Sequence, residues 1–391
     1  MDLKPFSDIA PYTDEEAAAA LSRIANHPNV PWVSKFIFSN RNENYLRDIL
    51  REIKTVDEFQ SKVMSEAIEW VIANTVHNFS YDGLSKIQAL DSTFLAMSNH
   101  RDIILDPAFT QIVLYRNKMP LTQIAVGDNL LKSKAVELLI RSNRMIKVIR
   151  GISARELYLS SKLLSEYIRE TIVSGTGSVW IAQRQGRTKD GLDVTEQGLL
   201  KMFDMSGGDD FVHNFMELNI VPLSISYEFE PCDILKAREK LISRTQKYVK
   251  TENEDLQSIM VGIKQWKGNV HLNIGDPLSE DEIREAASFD KNDRYQKIRH
   301  AVDRRIIGGY RLWKTNYMAY DIVENTTRFA DRYSLAELEA FKSYIAHQLE
   351  YAEPELNRDD LRDILLHIYS NPVAAKLDLA ARDSASTTTE A

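Results

Sequence analysis

A histidine and an aspartate follow directly after an apolar run, and these two residue types can form a general-base pair. The run covers residues 93–97 and predicts a buried strand that ends in Ser98-Asn99-His100. Strand ends are where α/β folds usually bind their ligands. A helix starting shortly after His100 would bring the Asp106 carboxylate to the ring, where it would hold the tautomer and stabilise the imidazolium. The equal alternative is a histidine that only caps the next helix.

Basic residues follow two other apolar runs. Arg150 ends the run at residues 145–149, although an isolated arginine is more often an ordinary surface residue. The run at 178–182 is followed by three basic residues, which are Arg184, Arg187 and Lys189. Guanidinium and ammonium groups that converge at a strand end predict an anion site suited to phosphate. A solvated basic loop is the alternative.

Other residues of these stretches are candidates for the lining of a pocket. Gln185 and Gly186 lie inside the basic stretch, and Asn99 precedes the histidine. Pro222 stands at the start of a further apolar run at 221–227. A proline there could shape a pocket wall, because it contributes no backbone N–H to the sheet.

The composition limits the classes of function. The chain has 391 residues, a net charge of -8 and a pI near 5.6, so nucleic acid is not expected as a partner, and a phosphate site needs a local basic cluster. The one cysteine, Cys232, excludes an internal disulfide framework and fits a reducing compartment. No signal peptide and no run of about 18 or more apolar residues occur. We expect a cytoplasmic protein, or one bound peripherally to the inner face of the membrane, without a metal or other cofactor.

The pattern of apolar residues divides the chain into four parts. Residues 1–85 predict a helical domain, 86–280 an α/β domain, 281–380 a C-terminal helical region and 381–391 a disordered tail. In the second part, short apolar runs alternate with amphipathic stretches, which predicts a mixed central sheet flanked by helices. The predicted strands cover residues 93–97, 123–126, 145–149, 178–182, 221–227 and 269–274, and the helices among them 106–116, 130–140, 154–174 and 234–251.

In order and spacing, these stretches resemble the four blocks of the glycerolipid acyltransferase superfamily over roughly residues 80–280. The match places His100 on the family's catalytic histidine and Pro222 on the proline of its fourth block. Arg150 and Arg187 fall on the basic residues of its second and third blocks. The closest likeness is to the soluble glycerol-3-phosphate acyltransferases of the plastid type, which also have a helical bundle before the catalytic domain. The stretches that carry the resemblance include Asn99-His100, Asp106-Pro107-Ala108, Trp180-Ile181-Ala182, Gly186-Arg187-Thr188-Lys189 and Gly275-Asp276-Pro277-Leu278.

Two positions depart from the family pattern. Five residues separate His100 from Asp106, where the family has four. Either the helix start carries a one-residue bulge, or Asp102 takes the role of the carboxylate; the shared Pro-Ala favours Asp106. Most members also have a glutamate before the glycine of the third block, and here Arg184 or Gln185 stands in its place. The resemblance therefore implies a site that is more positive than usual.

The resemblance implies an O-acyltransferase of phospholipid synthesis. His100, oriented by Asp106, would take the proton of an acceptor hydroxyl as it attacks the thioester of acyl-CoA or an acyl-carrier protein, which would be a co-substrate. The acceptor would be glycerol 3-phosphate or a related lysolipid. Its phosphate would be bound by Arg150, Arg187 and Lys189, with Arg184 beside them.

The sequence offers only broad candidates for the groove that binds the acyl chain and for a surface that contacts a partner. Residues 108–115 and a face of the N-terminal helical domain are the candidates for an apolar groove, although most of these side chains are expected in the core. The basic stretch at 294–305 is a candidate contact for a membrane or an acidic carrier protein. A solvated helix face is its alternative and the simpler interpretation.

Two other classes of function remain open. A non-catalytic protein that binds lipid or phosphate on the same scaffold would explain the altered His100 to Asp106 spacing and the missing glutamate. A phosphatase or other hydrolase has less support, because no metal-ligand pattern accompanies these two residues.

Overall fold

A seven-stranded sheet forms the centre of the computed structural model, which describes residues 3–39, 41–131, 133–150 and 153–389. The strands are β1 Val76–Asp82, β2 Leu95–Ser98, β3 Gln123–Gly127, β4 Met145–Val148, β5 Val179–Ala182, β6 Ile220–Tyr227 and β7 Gly268–Ile274. Their order in space is β1-β7-β6-β2-β5-β3-β4. The β6 and β7 pair is antiparallel and the other neighbours are parallel. The predicted fold class, α/β with a mixed central sheet, is confirmed.

Helices precede, connect and follow the strands. The N-terminal helices are α1 Asp14–Ile24, α2 Val30–Ile37, α3 Tyr45–Glu52, α4 Val56–Phe59 and α5 Ser65–Thr75. The helices among the strands are α6 Leu84–Gln88, α7 Leu105–Arg116, α8 Lys134–Arg141, α9 Ala154–Val173, α10 Gln197–Asp204, α11 Phe211–Met216, α12 Asp233–Ser243 and α13 Glu254–Lys264. The C-terminal helices are α14 Glu280–Ala287, α15 Asp293–Gly308, α16 Lys314–Val323, α17 Leu335–Leu349 and α18 Arg358–Thr389.

The central strands are apolar on both sides because helices cover both faces of the sheet. Every residue of β2 is buried. Leu95 and Met97 pack into the core on the face covered by α9, α10 and α15. Ala96 packs into the opposite core, with α7. This two-sided burial explains why the strand before His100 is a continuous apolar run in the sequence.

The N-terminal helices have a small core of their own. α1 begins with a capping box, in which Thr13 accepts the backbone N–H of Glu16 and Glu16 accepts that of Thr13. Leu21, Leu50 and Phe59 are buried in this core. The last helix, α5, packs against α7 and β1. The N-terminal helices therefore reach the α/β domain through α5, and also through α1, which packs against α8.

The first strand, β1, lies inside the segment that the sequence predicts to be helical. It is the edge strand beside β7, and His77, Asn78 and Tyr81 are exposed. Because most of its residues are exposed, β1 lacks the continuous apolar run by which the other six strands were predicted. The N-terminal helices end at Thr75, and β1 occupies most of the remaining part of the predicted domain up to residue 85.

The predicted helix at 234–251 is shorter in the structure. α12 ends at Ser243, whose hydroxyl donates to the Glu239 carbonyl, and the Thr245 hydroxyl donates to the Ile242 carbonyl. Hydroxyl groups that bind nearby carbonyls compete with the helical backbone. A loop follows, and the chain then forms α13, a helix that the apolar pattern did not predict.

The predicted disordered tail at 381–391 differs from the structure, in which α18 continues to Thr389. The helix starts in the C-terminal core, where Leu361, Leu365 and Tyr369 are buried. An established helix is extended more easily than a new one is started, so polar residues beyond the core can continue it. Residues 390 and 391 lie outside the described part of the chain.

None of the helices among the described residues is both long enough and apolar enough to span a bilayer.

Candidate active site

His100 lies at the carboxyl end of β2, and the structure brings Asp106 to its ring. His100 Nδ1 is 3.1 Å from Asp106 Oδ2. Because an ionised carboxylate can only accept, Nδ1 carries the shared proton and Nε2 is left as the acceptor nitrogen. Asp106 is fully buried, whereas the His100 side chain keeps 15% of its surface exposed. The ring therefore lies between a shielded carboxylate and the cavity in front of it.

The segment between the two residues absorbs the additional position as a local turn. Asp106 Oδ2 also accepts the backbone N–H groups of Arg101 and Asp102, at 2.6 and 2.8 Å. Asp102 does not contact the ring; its Oδ1 accepts two backbone N–H groups at the start of α7 instead. Asp106, rather than Asp102, is thus the carboxylate that contacts His100.

Both neighbours of His100 are fixed to one buried carboxylate, that of Asp193. Arg101 donates to Asp193 Oδ2 from Nε at 3.0 Å and from Nη2 at 2.6 Å. Asn99 Nδ2 donates to the same oxygen at 3.1 Å, as does the Tyr310 hydroxyl at 2.6 Å. Asn99 is therefore buried behind the histidine and does not line the cavity, contrary to the sequence prediction.

A cavity of about 300 Å³ opens in front of His100. Gln185 and Gly186 line it as predicted, together with a group of charged side chains. The charged residues of the lining are Arg150, Arg184, Arg187, Lys189, Lys250, Glu239 and Asp255. Cations outnumber carboxylates in this lining, which suits a ligand that carries a phosphate.

Two arginines of the cavity have buried donors that the described residues do not satisfy. These donors are Nε of Arg184 and Nη1 of Arg187. Burial opposes the charge of Arg187, but the neighbouring Cys232 and Asp102 raise the pKa of its guanidinium above the usual value. A buried N–H group of a charged side chain is costly unless it has an acceptor. Both side chains line the cavity, so an anionic ligand there would lie beside two guanidinium groups that are incompletely paired.

Lys189 lines the same cavity and is already paired with Glu239. The distance from Lys189 Nζ to Glu239 Oε2 is 2.7 Å. Burial and the positive charge of Arg187 nevertheless lower the pKa of Lys189 to about 8, because together they outweigh the attraction of Glu239. Lys189 is therefore charged at neutral pH and loses its charge in mildly alkaline solution.

Arg150 reaches the cavity from the carboxyl end of β4. Its backbone N–H donates to Asp128 Oδ2 at 3.1 Å, and its guanidinium lies against Gly127. A Cβ atom at Gly127 would come within 2.8 Å of Arg150 Cζ. Burial lowers the pKa of Arg150, and an arginine keeps its charge despite such a shift. The glycine thus gives the guanidinium the space to lie in the cavity wall.

An apolar groove of about 290 Å³ lies next to this cavity. Residues shared by the two are Ile103, Pro107, Ile124, Val126 and Leu130. Further groove residues come from Met64, which immediately precedes α5, and from four helices: Ile68 of α5, Ile112 and Tyr115 of α7, Val136 and Leu139 of α8, and Leu256 and Ile259 of α13. From Pro107 to Tyr115 the groove follows α7 for about 12 Å, at 1.5 Å per helical residue. It is long and apolar enough to hold an alkyl chain whose polar end lies near His100.

The stretch at 108–115 divides between this groove and the core. Ala108, Gln111, Ile112 and Tyr115 line the groove. Phe109, Val113 and Leu114 are buried in the core beneath the sheet. The helical period accounts for the division, because residues three and four positions apart share a face.

The loop that follows β5 is tied to the histidine segment. Thr188 lies between Arg187 and Lys189, and its backbone N–H donates to the His100 carbonyl at 2.9 Å. Asp193, at the end of the same loop, binds Arg101. A ligand held by the two cations would therefore be held by a loop that contacts His100 directly.

Pro222 does not line the cavity, contrary to the sequence prediction. It is buried inside the sheet, where it pairs with Met97 in the ladder between β2 and β6. Its carbonyl accepts the backbone N–H of Gly275 at 2.8 Å. β6 continues to Tyr227, so the proline lies below the edge at which the ligand site opens.

Three charged residues of the lining were missed by the sequence analysis. Glu239 lies on α12, Lys250 on the loop after it and Asp255 on α13. They reach the cavity because the chain breaks between the two helices and folds across it. The mixture of lysines and acids in this segment was the only signal in the sequence, and it is also typical of a solvated helix face.

The basic stretch at 294–305 is neutralised by acidic residues of the same chain. Its ion pairs are Arg294 with Asp204, Lys297 with Glu285, Arg299 with Asp303, Arg304 with Asp383 and Arg305 with Glu282. This arrangement fits the simpler interpretation of the stretch, a solvated helix face.

No protein-family model matches the chain, and no curated protein matches it in sequence. Among solved structures, the chain is similar to the 1-acyl-sn-glycerophosphate (LPA) acyltransferase PlsC from Thermotoga maritima. The two share 13% sequence identity, the match covers 74% of this chain and 91% of that chain, and the TM-score is 0.38.

Proposed function

We propose that the protein is an O-acyltransferase that moves a fatty acyl group from a thioester to a hydroxyl of a phosphorylated acceptor. One observation carries this proposal: the imidazole of His100, paired with Asp106, lies where a cation-rich cavity meets an apolar groove. The cation-rich cavity suits a phosphate-bearing acceptor, and the apolar groove suits a fatty acyl chain. The reacting groups would meet beside the imidazole.

The reaction needs one base and no covalent enzyme intermediate. His100 Nε2 takes the proton of the acceptor hydroxyl while the oxygen attacks the thioester carbonyl. The tetrahedral intermediate then loses the thiolate as the carbon–sulfur bond breaks, and the imidazolium returns the proton to the sulfur. Asp106 keeps the ring in the required tautomer and stabilises the imidazolium between the two transfers.

The acceptor is glycerol 3-phosphate or a related lysolipid, and its phosphate accepts from Arg187 and Arg184 with Lys189 beside them. Arg150 provides a further cation at the same cavity. The donor is acyl-CoA or an acyl-carrier protein, with its alkyl chain in the groove. On this proposal the protein acts in phospholipid synthesis, as plastid-type glycerol-3-phosphate acyltransferases do, in the cytoplasm or in peripheral contact with a membrane.

The proposal is tested with purified protein, labelled palmitoyl-CoA and three acceptors: glycerol 3-phosphate, lysophosphatidate and an amino-acid lysolipid. We expect a new labelled lipid with at least one acceptor. Replacing the base, His100→Ala, should lower turnover about 10²–10⁴-fold, the usual contribution of general-base catalysis.

His271→Ala is the matched control, since His271 is also buried and paired with a carboxylate, Asp82, but lies outside the cavity. Its turnover should stay close to that of the wild type in folded protein. Release of thiol without a new lipid would indicate a thioesterase instead. Binding of the acyl donor without any release would indicate a non-catalytic lipid-binding protein.

A further inference from the structure

Tyr227, the last residue of β6, contacts the carboxylate behind the histidine. Its hydroxyl donates to Asp106 Oδ1 at 2.9 Å. The other oxygen, Oδ2, accepts from His100 and from the backbone N–H groups of Arg101 and Asp102. Tyr227 is thus the donor on the oxygen that His100 does not use.

Anchoring both oxygens fixes the plane of the carboxylate. Donors on Oδ2 alone would allow Asp106 to turn about the bond to its carboxyl carbon, which would move Oδ2 relative to the His100 ring. The contact from Tyr227 on Oδ1 opposes that rotation. It also spreads the stabilisation of the negative charge over both oxygens, because a hydrogen bond to an ionised group is roughly twice as strong as a neutral one.

The tyrosine is itself held rigidly. Its ring packs against Phe109 with a centroid distance of 6.2 Å, and Phe109 lies three residues after Asp106 on α7, hence on the same face. β6 is paired on both sides, with β2 and with β7. The hydroxyl therefore reaches Asp106 from a strand and a helix that are both fixed in the core.

The hydroxyl remains a donor across the working range of pH. Burial, together with the negative charges of Asp106 and Asp102, raises the pKa of Tyr227 well above its usual value. A neutral phenol in this position can only donate to an ionised carboxylate.

We propose that Tyr227 is a positioning residue for the acyl transfer, acting through Asp106 to orient the base His100. This inference rests on the proposed function for its kinetic consequence. Its structural consequence is that the hydrogen bond between Asp106 and His100 depends on Tyr227. This consequence holds whether or not the protein transfers acyl groups.

The test is Tyr227→Phe, which removes the hydroxyl and keeps the ring against Phe109. We expect kcat to fall roughly 10- to 100-fold with the KM values of donor and acceptor nearly unchanged, since neither substrate contacts Tyr227. In the proton NMR spectrum, the low-field resonance of the His100 Nδ1 proton, assigned by its loss in His100→Ala, should shift or broaden.

Tyr344→Phe is the matched control. Tyr344 is partly buried, and its hydroxyl donates to the carboxylate of Asp233 at 2.7 Å, away from the cavity. We expect this variant to leave both kcat and the resonance unchanged.

Two results would overturn the inference: wild-type kcat in Tyr227→Phe, or a lower kcat with an unchanged His100 resonance. If the wild-type protein transfers no acyl group, the proposed function is wrong. A shifted resonance in Tyr227→Phe would still support the positioning of His100 in that case.

Discussion

The cations around His100 differ in how far the protein has already neutralised them. Lys189 has Glu239 as a close partner, and Arg101 is bound by Asp193 behind the site. Arg187 and Arg184 each keep a buried N–H without an acceptor among the described residues. A phosphate therefore gains most from the two arginines, whereas Lys189 must share its charge. The contribution of Lys189 also depends on pH, because burial and the charge of Arg187 lower its pKa to about 8.

The pKa of Lys189, lowered to about 8, predicts how acceptor binding changes with pH. Below that value the ammonium group is charged and assists the phosphate; above it the group is neutral. We expect the acceptor KM to rise about tenfold, which corresponds to the loss of a contact worth about 1.4 kcal/mol, as the pH passes through 8. Steady-state kinetics over this range measure the change.

Lys189→Arg is the control for this prediction, because an arginine keeps its charge in alkaline solution. Its acceptor KM should stay flat over the same range. The acceptor phosphate titrates near pH 6 in both experiments, so its own ionisation cancels. An equal rise of KM in the two proteins would remove Lys189 from the phosphate site.

Residue types at strand ends predicted much of the candidate site. His100, Asp106, Arg150, Arg184, Arg187 and Lys189 come together, as do Gln185 and Gly186. Asn99 and Pro222 could not be placed correctly, since a strand pattern does not tell which side chain at its end turns toward solvent and which turns into the sheet. Tyr227 gave no signal, because a tyrosine at the end of an apolar strand is an ordinary core residue.

At the scale of elements, the loop after β5 joins the histidine segment to the C-terminal helix. Gly191 belongs to this loop, and its carbonyl accepts from Arg101. It has a φ of 76°, and a Cβ atom there would lie 2.3 Å from the Ile368 carbonyl oxygen of α18. Pro372 in the same helix has no N–H for that carbonyl. The glycine therefore permits a close approach between the loop and α18.

Gly191→Ala should destabilise the protein by more than backbone strain alone. A non-glycine residue in the left-handed region costs roughly 1–3 kcal/mol, and the contact with Ile368 adds a clash between the new Cβ atom and the backbone. We expect a lower midpoint of denaturation in urea, measured by circular dichroism, together with reduced activity.

Gly186→Ala separates these two causes. Gly186 has nearly the same φ, 75°, but a Cβ atom there would meet open space. This variant should lose only the stability due to strain. Equal losses of stability in the two variants would show that the clash with α18 adds nothing to the destabilisation in Gly191→Ala.

Elements were predicted best where the sheet is buried on both sides. Six strands were found from apolar runs, with errors of one or two residues at their ends. β1 was missed because most of its residues are exposed. The break after α12 was missed because the serine and threonine that bind nearby carbonyls there are also ordinary helix-surface residues. Both errors concern positions where tertiary contacts, rather than local pattern, decide the structure.

At the scale of the whole molecule, the groove is assembled from distant parts of the chain. Met64 and Ile68 come from the N-terminal helices, Ile112 and Tyr115 from α7, and Leu256 from α13. Each of these residues fits a core position in its own helix, which is why the sequence could name candidate helices but not the groove. The N-terminal helices thus provide one wall of the proposed acyl site in addition to their own core.

Ile68→Asp tests this shared wall. A carboxylate in the groove would be desolvated by a long alkyl chain, whereas a short chain bound near Pro107 would not reach it. We expect kcat/KM with palmitoyl-CoA to fall at least about tenfold, a penalty of about 1.4 kcal/mol, and kcat/KM with butyryl-CoA to change little. Leu335→Asp, at an exposed position of α17, should alter neither value. A parallel loss for both donors in Ile68→Asp would mean that α5 supports the fold of the site without contacting the acyl chain.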